Sequence, residues 1–489
     1  VNGTPVVSTV GAREVGKPIG MRPLSRRDLL AASAAGFASG ALGGTTEPAT
    51  GDGALPEADT REIHVASFRF DVTPPLGHGC CGNWIKPIVG YDDPLEAIGL
   101  VILGAGRPIV LCAVDWTGIL NDAHIAWRGA LAEAAGTSPD RVAVQVVHPH
   151  NAPMACLETA RLVAGAGDLP PVLDPDFFAR CLDAGRVAVR QSLDRAVRVT
   201  HVGRGTARVI DVASNRRLLG PDGTVRAQRS SACADEAMRA LPEGLVDPLL
   251  RTVAFYHGDE KIAACHAYAC HPMSYYGDGR ASADFCGLAR RRRQIDEPGC
   301  THLYFSGCGG NIAAGKYNDG SRGMRPVLAA RMYDAIVAAD AAIERRPVER
   351  VSWTTAPFLP TPDARWVERD LLAALADPRQ SLVARTRPMY TVAWLRRVAR
   401  GEPVVLSALH LDDVVMVHLP GEPFVEYQLR LQRDHADRFV FTAGYGDGGP
   451  WYLPTAAAYP QGGYEVGVAW SGRGVEAELH EGIARLFGA

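Results

Sequence analysis

Val142-Ala143-Val144-Gln145-Val146-Val147 runs without a break into His148-Pro149-His150-Asn151-Ala152-Pro153. A β-branched run halted by a turn signal reads as a buried strand. Ligands in α/β proteins collect beyond the carboxyl ends of such strands. Two imidazoles at that place can serve as metal ligands, as a general base, or as both. The ordinary alternative is a pair of hydrogen-bonded structural histidines.

The same arrangement recurs downstream. Residues 250–256 and 261–270 read as two strands, the second ending in His271-Pro272-Met273-Ser274. Strands over 404–409 and 414–419 precede Gly421-Glu422-Pro423-Phe424. There Pro423 suits the first turn of a helix and sets Glu422 at its N-terminal end. A strand over 439–443 enters Gly444-Tyr445-Gly446-Asp447 and then Trp451-Tyr452-Leu453-Pro454-Thr455. Elsewhere the spacing predicts strands over 99–104, 109–115 and 197–211, and a helix capped by Asn121 and ending at Gly136. Further helices are expected over 176–193 and 326–343, with a surface helical excursion over 361–402. An Arg-rich helix opens at Asp284 with residues 290–293 on its solvated face, and His266 and His418 read as core or sheet-surface residues. The glycine-rich stretch 307–315 lacks a P-loop Lys-Ser/Thr and reads as pocket wall. This alternation of strands and helices permits a layered α/β domain.

At 489 residues the chain is long enough for one large domain or two ordinary ones. A formal net charge of −3 argues against nucleic acid as the main partner. No run of about 18 or more apolar residues follows the N-terminal region, so no integral membrane span is expected. The 11 cysteines are odd in number and form no CxxC pair, which argues against a disulfide scaffold and a zinc knuckle. Residues 1–60 read as a twin-arginine export signal and linker. Ser25-Arg26-Arg27-Asp28-Leu29-Leu30 leads into an Ala-, Ser- and Gly-rich stretch, then polar sequence with Pro and Gly. The alternative is an extension with an accidental Arg pair. Residues 61–489 read as a single domain, with a periplasmic or extracellular destination.

His148, His150, His271, Glu422 and Tyr452 all stand at strand ends, and two imidazoles with one carboxylate are a common catalytic zinc set that keeps a position open for water. Zinc lowers the pKa of that water toward ~7. Seven short segments, in order over roughly residues 66–475, make the chain resemble the neutral/alkaline non-lysosomal ceramidases. Asp71-Val72-Thr73-Pro74-Pro75 resembles the family's opening Asp-Ile-Thr segment, and His148-Pro149-His150-Asn151-Ala152-Pro153 its His-Thr-His-Ser-Gly-Pro. Asn215-Arg216-Arg217 is similar to its Asn-Arg-Ser. His271-Pro272-Met273-Ser274, Gly421-Glu422 and Tyr452-Leu453-Pro454-Thr455 resemble the segments bearing its second zinc His, zinc Glu and zinc Tyr. Tyr464-Glu465 resembles the segment of a later active-site Tyr.

The resemblance implies an α/β fold with a layered β-sheet core flanked by helices, like the ceramidase N-terminal domain. It implies Zn2+ held by His148, His271, Glu422 and Tyr452, with His150, Arg216 and Tyr464 acting in catalysis. Arg217 could exchange roles with Arg216, and Glu426 is the rival carboxylate. Asp115 and Asp284 are candidate carboxylates behind the ligands. The family's serine lies in Gly-Asp-Val-Ser-Pro, whereas the matching stretch here is Gly310-Asn311-Ile312-Ala313-Ala314, with Ser306 displaced by several residues. The expectation is therefore an exported hydrolase that cleaves an amide (N-acyl) bond by metal-activated water. A zinc enzyme of the same fold acting on an ester or a carbohydrate stays open, as does a non-catalytic metal- or glycan-binding exoprotein. A small molecule, lipid or glycan is the expected substrate.

Overall fold

The computed structural model describes residues 62–488. The segment 1–60, read above as export signal and linker, lies outside the described residues. Three main sheets carry the structure. The first has the strand order Val142–Val146, Gly106–Val114, Glu96–Gly104, His64–Asp71, Val197–Arg198. The second runs Thr301–Ser306, Glu260–Tyr268, Leu249–His257, His201–Arg208, Glu344–Pro347, and the third Val351–Phe358, Val404–Leu411, Val414–His418, Phe439–Ala443.

The inner faces of all three meet in one apolar centre that includes Leu100, Leu111, Phe255, Phe305, Met416 and Phe441. Because strand side chains alternate between faces, each sheet has a second apolar face, and helices cover it. Asp122–Ala135 and Pro175–Leu193 bury Trp127 and Phe177 against the first sheet. Asp284–Asp296 and Met324–Ala341 bury Phe285 and Met332 against the second. Leu382–Ala399 and Val475–Leu486 bury Trp394 and Leu479 against the third. The layered α/β core with flanking helices is as the sequence led one to expect.

Each sheet is mostly antiparallel but ends in one parallel pair, and those pairs aim the site. Val142–Val146 lies parallel to Gly106–Val114, Thr301–Ser306 to Glu260–Tyr268, and Phe439–Ala443 to Val414–His418. The chain leaves these strands at His148, His271, Gly307, Glu422 and Tyr445, so their carboxyl ends gather in one place. Hydrogen bonds lock the exits together. Gln145 Nε2 donates to the carbonyls of Leu419, Ala443 and Gly444 at 3.1, 3.0 and 2.9 Å. Ser306 Oγ donates to Val147 O at 2.6 Å, and the Gly444 amide to Ser306 O at 2.8 Å.

Several local expectations are corrected. Glu422-Pro423 is a two-residue strand paired with Tyr452-Leu453, and the helix begins only at Val425, so Glu422 faces the sheet junction instead of a helix N-terminus. Arg290 is buried, donating to Asp115 at 3.0 Å and Glu96 at 3.1 Å, because the first sheet ends in carboxylates opposite that helix. Asn121 precedes its helix at φ 54° without capping it, since its amide side chain is turned to Cys156 and Arg397. The excursion at 361–402 is no surface feature: its second helix buries Met389, Tyr390 and Trp394. The strand expected over 197–211 breaks into Val197–Arg198 and His201–Arg208.

Candidate metal centre

Three sheet ends bring four side chains to one point. His148, His271 and Glu422 are all buried, at 5%, 0% and 5% exposure. His148 Nε2 and His271 Nε2 lie 3.6 and 3.0 Å from the same carboxylate oxygen, Glu422 Oε2. His150 Nε2 stands 3.3 Å from His148 Nε2. The ligating atoms that the three histidines offer fit within 4.8 Å of one another.

Backbone carbonyls set the imidazole orientation. His148 Nδ1 donates to Thr117 O at 2.5 Å, and His271 Nδ1 donates to Gly309 O at 2.7 Å and Ile312 O at 3.0 Å. With Nδ1–H turned outward, the Nε2 lone pairs of both rings point at an anionic oxygen. Acceptors converging on acceptors repel unless a cation lies among them, and a carbonyl on the far nitrogen is the usual support of a metal-bound histidine. The donor set therefore fits a divalent metal.

The protonation states agree. Burial lowers the pKa of His148 to about 4, despite the opposing pull of Glu422. Burial raises the Glu422 carboxyl, but the positive charge around it, Arg216 included, outweighs burial and keeps the carboxyl ionised at neutral pH. His150 is kept well below the ordinary imidazole range by burial and by its histidine neighbours.

Tyr452 is brought beside Glu422 by backbone pairing, while its hydroxyl accepts from Arg216 Nη2 at 2.8 Å. Arg216 also donates to Gly310 O at 2.7 Å and from Nε to Glu465 at 2.7 Å. Arg217, the alternative to Arg216, turns the other way, to Glu465 and Gln461. The Tyr464 ring, 39% exposed, packs 5.9 Å from Tyr452 and lies 5.8 Å from the Arg216 guanidinium. Glu426 is not among the converging groups; it accepts from Asn311 Nδ2 at 2.9 Å. Asp115 is taken by Arg290, and Asp284 by the Ser274 amide. Ser306 Oγ is committed to Val147 O, and Ala313 is buried as a backbone partner of Ser214 and His271. The hydroxyl beside Ala313 is that of Ser214, which donates to the Ala313 carbonyl at 3.1 Å.

Sequence reasoning missed several parts. Tyr445 stacks on His148 at 4.5 Å and 29°, with its hydroxyl 3.4 Å from His271 Nδ1. Glu465, fully buried, binds both arginines and Gln228. Cys81 Sγ sits 3.9 Å from His150 Nδ1. No sequence signal marked these residues; in the structure His148, Tyr445, Trp451 and Cys81 share φ of 72°, 58°, 60° and 47°, a region uncommon for residues other than Gly. The glycines of 307–315 do build a wall, since a Cβ on Gly310 would meet Glu422 O at 2.4 Å.

No family model matches the sequence, and no curated protein matches it. Solved structures do. Neutral ceramidase from Pseudomonas aeruginosa superposes with a TM-score of 0.61 at 16% identity, over 86% of this chain and 73% of that one. A ceramidase complexed with C2 gives 0.62 at 15% identity, over 86% and 74%. Over 86% of its length, this chain has the fold of neutral ceramidase at low sequence identity.

Proposed function

We propose that this protein is a zinc-dependent hydrolase of an amide (N-acyl) bond, exported by way of its Arg26-Arg27 segment. The observation that carries the reading is the convergence of His148 Nε2 and His271 Nε2 on Glu422 Oε2 with both outer nitrogens tied to carbonyls. His148, His271 and Glu422 hold the ion, with the Tyr452 phenol as the fourth candidate. When bound, zinc supplies Lewis-acid polarisation of a carbonyl and activation of water at neutral pH.

The chain's own groups do the rest. Nδ1 of His150 faces the Cys81 sulfur, which leaves Nε2 to move the proton toward the departing amine. Arg216, fixed by Glu465 and the Gly310 carbonyl, keeps positive charge where the carbonyl oxygen gains negative charge, alongside Tyr464. Since Ser306 is tied down, water is the attacking group in this scheme. No helix among the described residues is long and apolar enough to cross a membrane, and the substrate in this scheme is a lipid or other small N-acyl amide.

The test is elemental analysis together with hydrolysis of N-acyl amides. Wild type is expected to hold one zinc per chain. His148→Ala and Glu422→Gln should lose metal and activity in parallel, by more than the about 10–100-fold that removing a ligand's supporting partner costs. Full turnover in a zinc-free variant refutes the scheme.

A further inference from the structure

The helix Leu382–Ala399 carries four arginines, and three of them are ion-paired. Arg385 pairs with Asp168, Arg396 with Glu158 and Glu368, and Arg397 with Asp447. Arg387 is the exception: among the described residues, no carboxylate stands within ion-pair distance of it. Its guanidinium lies 4.8 Å over the Trp84 ring and 5.8 Å over that of Tyr464, and one N–H goes to the Tyr464 hydroxyl at 2.8 Å. A guanidinium has five N–H donors spread around its edge. Stacking uses its face and leaves most of that edge available.

Its position is between the metal centre and a cleft. On one side Tyr464 leads through Tyr452 to Arg216. On the other, a cleft of about 350 Å³ opens between Arg387, Trp366, Leu371, Trp451, Val468 and Trp470. Trp451 stacks on Trp470 at 4.8 Å and 14°, and Trp84 meets Trp451 edge-on at 5.5 Å. The Trp451 carbonyl accepts the Glu422 amide at 2.8 Å, so the cleft wall is bonded to the metal centre itself. An apolar, aromatic cavity with one convergent charged group is the usual make-up of a small-molecule site.

Taking the site as the N-acyl hydrolase centre described above, we propose that Arg387 selects substrates that carry an anionic group near the scissile bond. The tryptophan-lined cleft takes their apolar body. Carboxylate and phosphate share the relevant chemistry, a planar or trigonal set of oxygens that a guanidinium edge grips with charge-assisted hydrogen bonds. Arg216 cannot fill this role because its guanidinium is buried and its N–H groups are already given to Glu465, the Gly310 carbonyl and the Tyr452 hydroxyl.

Three decanoyl amides of matched length test the assignment: decanoylglycine, decanoyl-phosphoethanolamine and neutral decanoylethanolamide. With zinc-loaded wild type, stopped-flow tryptophan quenching before turnover is expected to show the anionic amides binding at least about tenfold tighter than the neutral one. The better of the two identifies carboxylate or phosphate as the native group. In Arg387→Gln the charged-to-neutral ratio should fall to within about twofold, and Arg387→Lys should restore part of it. Equal affinity for all three in wild type overturns the assignment without reference to any variant, as does an unchanged ratio in Arg387→Gln. Charge selectivity in binding with no cleavage of any amide sinks the hydrolase reading and leaves this one standing. Cleavage without charge selectivity does the reverse.

Discussion

Replacing Glu465 by Gln tests how the centre is held together. The carboxylate is fully buried and takes Arg216 Nε at 2.7 Å, Arg217 Nη1 at 3.0 Å and Gln228 Nε2 at 3.1 Å. The substitution keeps the shape and removes the charge, stranding two guanidinium groups whose side chains are 7% and 5% exposed. Removing one partner of a buried ion pair costs about 3–5 kcal/mol. Arg216 retains Gly310 O and the Tyr452 hydroxyl, and Arg217 retains Gln461, so the lower end, about 3 kcal/mol, applies here. With an unfolding entropy of roughly 2.1 cal/mol/K per residue over about 430 residues, that lowers Tm by about 3–4 °C in calorimetry at neutral pH. Arg217→Met in the same background should be non-additive by about 1 kcal/mol or more, because the two side chains share one charge balance. Zinc content should stay at the wild-type level while kcat falls, since Glu465 touches Arg216 and none of the groups proposed to hold metal. An unchanged Tm with additive double-variant behaviour would refute the reasoning.

Two further outcomes follow from buried groups away from the centre. His266 and His302 form a stacked pair 5.3 Å apart, hydrogen-bonded through His266 Nε2 and His302 Nδ1 at 3.0 Å. Burial lowers them to about 4 and about 2, His266 also opposing the charge on His302. Their folded pKa values lie below the unfolded ~6.5, so the unfolded chain binds more protons; the stability is complete above that value and is lost as pH falls from about 6.5 toward 4. Urea unfolding should lose about 1.4 kcal/mol per histidine per pH unit in that window, and His266→Gln should flatten the slope; identical slopes contradict it. All 11 cysteines are buried and unpaired, so the native protein should not react with Ellman's reagent on mixing and should release its thiols only in denaturant. A rapid native thiol would show that a buried position is open.

Much of the frame was legible because it is written in periodicity. The Val142–Val147 run, the Phe439–Ala443 strand and the His-Pro exits at 148 and 271 carry their signals in adjacent residues. The convergence of 148, 271 and 422 has no local signature. It depends on parallel pairs at the edges of three separate sheets, and only the family resemblance made it expected. The supports at Thr117 O, Gly309 O and Ile312 O could not be read at all, since a backbone carbonyl is the same whatever residue carries it. Arg290 was misplaced for a related reason: an arginine run looks solvated until a sheet edge supplies Glu96 and Asp115 opposite one member. Glu465 stood beside a residue singled out for chemistry, but its arginine partners come from 249 and 248 residues earlier in the chain.

His148 holds φ at 72°, a backbone state that glycine adopts without the steric cost a side chain carries. Fold and chemistry therefore ask different things of this one position. Directed evolution rewarding heat resistance alone would tend to drift away from the histidine, and a consensus built on thermal performance would count that drift as an improvement. Engineers who want a tougher version of this protein need a screen that reads metal occupancy beside melting.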